Sequence, residues 1–303
     1  MKKPILVGLA AAALGAVAVG TLVVWPIGFA TEEIELSGDV ERGAYLARAS
    51  GCIACHTDFA GGGAPLAGGA PLKTAFGDYY PPNITTDLDH GIGAWTVDDF
   101  AKAVRQGIDR DGQPYFPTFP YPFYSDFSDQ DIADLWAAFQ TVPPVPESAP
   151  DHAVSFPFSQ RWGMKAWRAA FLTDPSTEPV EGKTDRWNRG RWLVEGAAHC
   201  GACHTPRNFA GARVSTSAFA GNDELPDNNK APSILASDLV TEGWTVSKLA
   251  YALRTGVTPS GDAFGGSMGE VVAYGTRFLS QSDLEAMAVY LLGEPKDLDT
   301  ARN

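Results

Sequence analysis

Cys52-Ile53-Ala54-Cys55-His56 and Cys200-Gly201-Ala202-Cys203-His204 contain all four cysteines of this chain and two of its five histidines. A Cys-x-x-Cys-His segment sets two thiols about one turn apart, where they reach the two vinyl groups along one edge of a porphyrin. The histidine that follows is then placed under the iron. Zinc sites and thioredoxin-like motifs also use Cys-x-x-Cys. Zinc wants further ligands close by, however, and a redox dithiol does not want the histidine. No cysteine is left over for a structural disulfide. The motifs therefore predict two covalently attached haem c groups, held by Cys52, Cys55, Cys200 and Cys203. His56 and His204 are the expected proximal iron ligands.

The sequence around the motifs is written twice. Arg42-Gly43-Ala44-Tyr45-Leu46 returns as Arg189-Gly190-Arg191-Trp192-Leu193, at an offset of 147 (42 to 189). The motifs are offset by 148 (52 to 200) and Trp95-Thr96-Val97 by 149, to Trp244-Thr245-Val246. Ser128 to Asp131 matches Ser280 to Asp283 at 152 (128 to 280). So small a drift describes a duplicated unit with short loop insertions. Each unit reads as three main helices. The first starts near Asp39, or Asp185, and runs into the haem motif. The second starts at Thr96, with Phe100, Ala103 and Val104 on one face. The third starts at Ser128 with Asp131 three residues on, or at Ser280 with Asp283. A hydroxyl followed three residues later by an acid and then an apolar face is a helix-start signature. The Gly- and Pro-rich loops do not alternate like strands, so almost no sheet is expected.

The expected domains are 36–141 and 184–293, with a 142–183 linker and a 294–303 tail. Prolines at 143, 144, 146, 150, 157, 175 and 179 make the linker semi-rigid and extended. Its aromatic segment Arg161-Trp162-Gly163-Met164-Lys165-Ala166-Trp167-Arg168 is expected to pack across both domains. At the N-terminus, Lys2 and Lys3 precede an apolar run over residues 5–25, 21 in all. A cleaved signal needs only about 7–15 apolar residues and a spanning helix about 20. Residues 1–30 are thus expected to be an anchor in the bacterial inner membrane, with a signal cleaved after Gly28-Phe29-Ala30 as the alternative, and either places the haem domains in the periplasm.

Hydrophobic content of 45% against 19% charged residues describes a globular chain. The net charge is −13; without Lys2 and Lys3, 21 basic against 36 acidic residues leave −15. Such a surface repels nucleic acid and anionic membranes and favours basic redox partners.

The two halves differ at the sixth iron position. Met268, in Gly266-Ser267-Met268-Gly269, lies 12 residues beyond Gly256 in an expected loop, and is the expected axial ligand of haem 2. The same count from Gly107 lands on Phe119, which cannot ligate iron. Haem 1 is therefore expected to be five-coordinate or unusually bound. His90, His152 and the tyrosines at 115, 121 and 124 are weaker possibilities, and His199 is expected to face away from the iron.

Further motifs carry a resemblance. Pro82-Asn83-Ile84-Thr85, Gly91-Ile92-Gly93-Ala94-Trp95, Phe116-Pro117 to Pro120-Tyr121-Pro122, Cys203-His204-Thr205-Pro206-Arg207 and Met268-Gly269-Glu270-Val271-Val272 resemble the multihaem cytochrome c subunit of membrane-bound quinohaemoprotein alcohol dehydrogenases. The resemblance spans about residues 39–293. It implies an all-α fold, two tandem class I cytochrome c-like domains after the anchor helix, and axial-ligand positions at His56, His204 and Met268. It also implies no substrate site, but single-electron transfer between a dehydrogenase or quinol-side donor and the respiratory chain. That family has three haem domains and a first-domain methionine; this chain has two motifs and Phe119. A redox enzyme or ligand sensor using an open site at haem 1, and a haem subunit of a terminal oxidase, remain alternatives.

Overall fold

The computed structural model describes residues 7, 13–15, 17, 20–30, 32–172, 176–226 and 229–294. Residues 1–6, 8–12, 16, 18 and 19 of the expected anchor, and all of the expected tail beyond Glu294, lie outside them. Residues 20–24 are helical, and among the described residues no helix is long and apolar enough to cross a membrane. A membrane anchor therefore rests on the sequence alone.

The first repeat contains α1 (Val40–Ala49), the single turn α2 (Cys52–Cys55), strands β1 (Leu72–Thr74) and β2 (Gly77–Tyr79), α3 (Val97–Gln106) and α4 (Asp129–Phe139). The linker supplies β3 (Ala153–Val154) and α5 (Gly163–Phe171). The second repeat contains α6 (Asp185–Arg191), α7 (Ala236–Thr241), α8 (Val246–Thr255), α9 (Gly266–Tyr274) and α10 (Gln281–Leu292). Helix starts fall where hydroxyl caps were expected. The Thr96 and Ser128 side chains each accept the N–H three residues on, and Asp99 and Asp131 reach back to the cap, closing both capping boxes. Phe100, Ala103 and Val104 are buried as the spacing predicts. The expectation of almost no sheet meets a small antiparallel β1–β2–β3 sheet, in which Gly77 pairs with Val154.

Each repeat is built on one helix crossing. A Cβ on Gly43 would stand 1.8 Å from the Asp134 carbonyl oxygen, and one on Gly190 would stand 2.0 Å from that of Ala286. Only glycine lets α1 lie on α4, or α6 on α10, at that distance. Beside each crossing an arginine reaches the last helix: Arg42 to Asp131 and Asp134, Arg189 to Asp283. Around the crossings Ile132, Leu135, Leu193, Leu284 and Met287 are fully buried in one continuous core. Each such side chain contributes about 1.5–3 kcal/mol of burial.

The repeats meet through equivalent surfaces. α1 packs on residues 276–278 of the second repeat, while the continuation of α6 packs on residues 121–124 of the first. Arg48 lies 4.2 Å over the Phe278 ring, and Trp192 stacks on Phe127 at 5.7 Å. The linker is not extended throughout, because α5 forms within it and touches both repeats. Arg161 donates to the carbonyls of Gln113 and Pro114, and the Trp167 indole N–H donates to the Ala210 carbonyl at 2.8 Å.

Candidate functional site

The chain breaks α1 before the first motif. Gly51 adopts the left-handed conformation at φ 69°, after which Cys52–Cys55 form one helical turn with both sulfurs on one side. His56 follows, its Nδ1 2.7 Å from the Pro82 carbonyl oxygen. That bond fixes Nδ1 as the N–H donor and leaves Nε2 as the lone-pair nitrogen a metal requires. The second motif repeats this. His199 takes the left-handed position at φ 39°, Cys200–Ala202 form a tight 3₁₀ turn, and His204 Nδ1 lies 2.8 Å from the Pro232 carbonyl oxygen.

Burial lowers the pKa of both His56 and His204, against the opposing pull of their carbonyl partners, so both imidazoles are neutral at pH 7. Burial pushes Cys52 and Cys200 up to about 12. It pushes Cys55 to about 11, with the nearby Cys203 and Glu270 adding to the effect. Neutral thiols paired on one turn, followed by an imidazole whose Nδ1 is already bonded, fit a haem with two vinyl groups. Cys52, Cys55 and His56 would hold one haem, and Cys200, Cys203 and His204 the other. The bound iron would supply one-electron chemistry. Among the described residues no group of three or more His, Cys, Asp or Glu could hold a bare metal ion, so the further ligands of a zinc reading are not found there.

The motifs sit side by side across the repeat contact. α9 of the second repeat packs on α2 of the first, where Glu270 acts on Cys55. His199, expected to face away from the iron, lies inside this contact. Its ring is 6.0 Å from Phe123 and 5.9 Å from Tyr124, and its Nε2 stands 3.4 Å from where a Cβ on Gly51 would be. Burial lowers its pKa to about 4, so it packs as a neutral ring. The signal available in sequence was the mismatch itself: histidine in one repeat where the other has Gly51.

Met268 lies in the first turn of α9 rather than in a loop, partly buried against the core. Phe119 is packed among Tyr115 at 5.7 Å and Tyr121 and Tyr124 at 6.1 Å. His90 is exposed on its loop. His152 is engaged, since its Nδ1 accepts the Tyr80 N–H at 3.1 Å while its ring packs on Tyr79 and Phe116. Tyr124 donates to the Ser50 carbonyl at 2.7 Å.

A family model described as Cytochrome c matches residues 40–139, which includes the first motif. The chain is 38% identical over 268 residues to a protein named "Diheme cytochrome c-type" from Cereibacter sphaeroides, covering 86% of this chain and 87% of that one. It is 41% identical over 268 residues to the "Alcohol dehydrogenase (quinone), cytochrome c subunit" of Gluconobacter oxydans, covering 84% of this chain and 55% of that one. To the "Gluconate 2-dehydrogenase cytochrome c subunit" of Pantoea cypripedii it is 39% identical over 282 residues, covering 89% and 63%. The chain thus spans about half the length of the alcohol dehydrogenase subunits it matches. A match over most of both chains to a protein named as a dihaem cytochrome, joined to the bonded histidines above, places this chain in the c-type cytochrome family, as an electron-transfer protein with covalently bound haem c.

Proposed function

We propose that the chain is a dihaem relay, taking single electrons from a dehydrogenase subunit and passing them to the respiratory chain. In this reading the apolar segment over residues 5–25 anchors it in the bacterial inner membrane, and both haems are carried on the periplasmic side. What supports the relay is the juxtaposition of the two motifs, with α9 of one repeat against α2 of the other and His199 filling the space beside Gly51. Electrons entering at one haem then have the second beside it. The matched relatives serve alcohol, gluconate and fructose dehydrogenases, so the partner class carries over and no single substrate does. The net charge of −13 favours a docking partner with a basic face.

The test is to purify the chain from its host's membranes under mild detergent and identify the co-purifying subunit. That dehydrogenase's substrate is then added while haem absorbance is followed. Substrate-driven reduction of both haems is the expected result. Terminal-oxidase subunits in its place, or haems that stay oxidised, would overturn the proposal.

A second reading is favoured by one observation, the aromatic packing of Phe119 at the position matching Met268. If no side chain closes the sixth site of haem 1, that haem binds small exogenous ligands.

A further inference from the structure

Exposed aromatic side chains gather on one side of the molecule around α5. Phe209 is 93% exposed, Phe156 80%, Phe29 73% and Trp25 63%. They adjoin through identifiable contacts. Phe158 packs edge-on to Phe76 at 5.1 Å, and Phe76 lies against Gly211, two residues from Phe209. Trp167 of α5 bonds the carbonyl of Ala210, next to Phe209, at 2.8 Å. On the other flank of α5, Lys165 Nζ donates to the carbonyls of Val23 at 2.7 Å and Trp25 at 2.8 Å. At 3.6 residues per turn, Ala166, Ala169 and Ala170 fall on the arc between Lys165 and Trp167. All three are exposed. Arg161 and Arg168 point the other way, into the first repeat, over the rings of Tyr115 and Tyr121.

These contacts place the end of the apolar segment on one side of α5, exposed alanines in the middle and exposed aromatics beyond. Soluble proteins rarely leave such a patch uncovered. What covers it follows from the chain itself. The apolar segment over residues 5–25 is long enough to span a bilayer, and Lys165 grips it at the last residues before it ends. Wherever that segment leaves the lipid, α5 lies beside the exit. Tryptophan and other aromatic side chains are at home in the headgroup region, and an apolar helix face settles there without crossing.

We propose that the α5 face, with Trp25, Phe29, Phe156 and Phe209, rests in the interface of the bilayer that holds the apolar segment, seating the cytochrome on the membrane instead of leaving it on a loose tether. This rests on the anchor reading above. Seating fixes the orientation of both haem motifs relative to the lipid.

The experiment uses the full haem-loaded chain with Phe209→Cys carrying a nitroxide label, the native thiols being consumed by haem attachment. The protein is reconstituted into phosphatidylcholine vesicles, which carry no net charge and so isolate the apolar contribution. Flotation reads the anchor; collision of the label with oxygen and with a water-soluble nickel chelate reads the face. The expected result is flotation with the label shielded several-fold from nickel and open to oxygen. Flotation with a label that nickel reaches freely keeps the anchor and overturns the seating. A label shielded from both reagents means that a second copy of the chain covers the patch, which also overturns it. Protein that does not float removes the anchor reading, and the seating with it.

Discussion

Tyr45 of the first repeat donates its phenolic hydrogen to Asp283 of the second at 2.6 Å, while the same oxygen accepts the Ser280 N–H at 3.0 Å. The hydroxyl is thus inserted into a helix cap. In the first repeat Ser128 and Asp131 close their capping box directly. In the second, the Asp283 carboxylate is taken by Tyr45 and Arg189, and the free cap N–H is passed to Tyr45. Tyr45→Phe removes both bonds, and unfolding of the haem-loaded protein should show a loss of about 1–3 kcal/mol. Tyr45→Phe and Asp283→Asn together should cost less than the sum of the two. Additive losses would show that the tyrosine and the carboxylate do not work as a unit.

Acid should weaken the same contacts. Desolvation opposes ionisation of Asp283, but the hydrogen bonds from Arg189 and Tyr45 and the charge of Arg189 outweigh it, holding its pKa below the usual carboxylate value. Desolvation likewise opposes ionisation of Asp134, where bonds from the Asp39 N–H, Gln130 and Arg42 prevail. A depressed carboxylate contributes stability that is fully present above its unfolded pKa of about 4 and is lost as pH falls through the lower folded value. Denaturation midpoints should therefore be flat from neutrality to about pH 5 and fall steeply below it. Asp134→Asn should start lower and fall less. A mutant curve parallel to the wild type would refute this account.

Haem content should follow the motifs one by one. Cys52→Ala with Cys55→Ala should leave a chain with a single haem by pyridine haemochrome assay, and so should Cys200→Ala with Cys203→Ala. Two haems in either variant would mean that the thiols are not the attachment points.

The sixth ligands should differ between the haems. With Met268 on the second iron, the oxidised protein should show one weak far-red band, and Met268→Ala should abolish it and lower one potential only. The first haem should bind carbon monoxide when reduced, and Phe119→Met should suppress that binding. A wild type with two ligand-inert, methionine-bound haems would show that Phe119 is wrongly matched to Met268.

Much of this was legible in the sequence because the relevant physics is local. Capping at Thr96, Ser128 and Ser280 needs only a hydroxyl and the N–H three residues on. What escaped depends on the partner repeat. Nothing local to Ser280-Gln281-Ser282-Asp283 announces that Tyr45, 235 residues earlier, will occupy its box. The first helices were read as running straight into the motifs; Gly51 and His199 instead turn left-handed there, and residues 192–197 widen into a π-helical turn. The count of 12 residues from Gly256 puts Met268 in an expected loop, whereas residues 266–274 form α9 against the core. The linker's prolines suggested extension, but none lies between 158 and 174, where α5 forms.

The paired contact between the repeats has one more consequence. Tyr45 and Trp192 are the same position 147 residues apart (45 to 192), and each leans on the segment preceding the other repeat's last helix. Such a contact is isologous: both partners offer the same surface, so it closes at two and leaves none of that surface free. The two repeats thus pair as the subunits of a homodimer would, within one polypeptide, and the tyrosine, tryptophan and histidine positions are where the two halves differ. A third copy of the unit could not join by this surface and would need a different face.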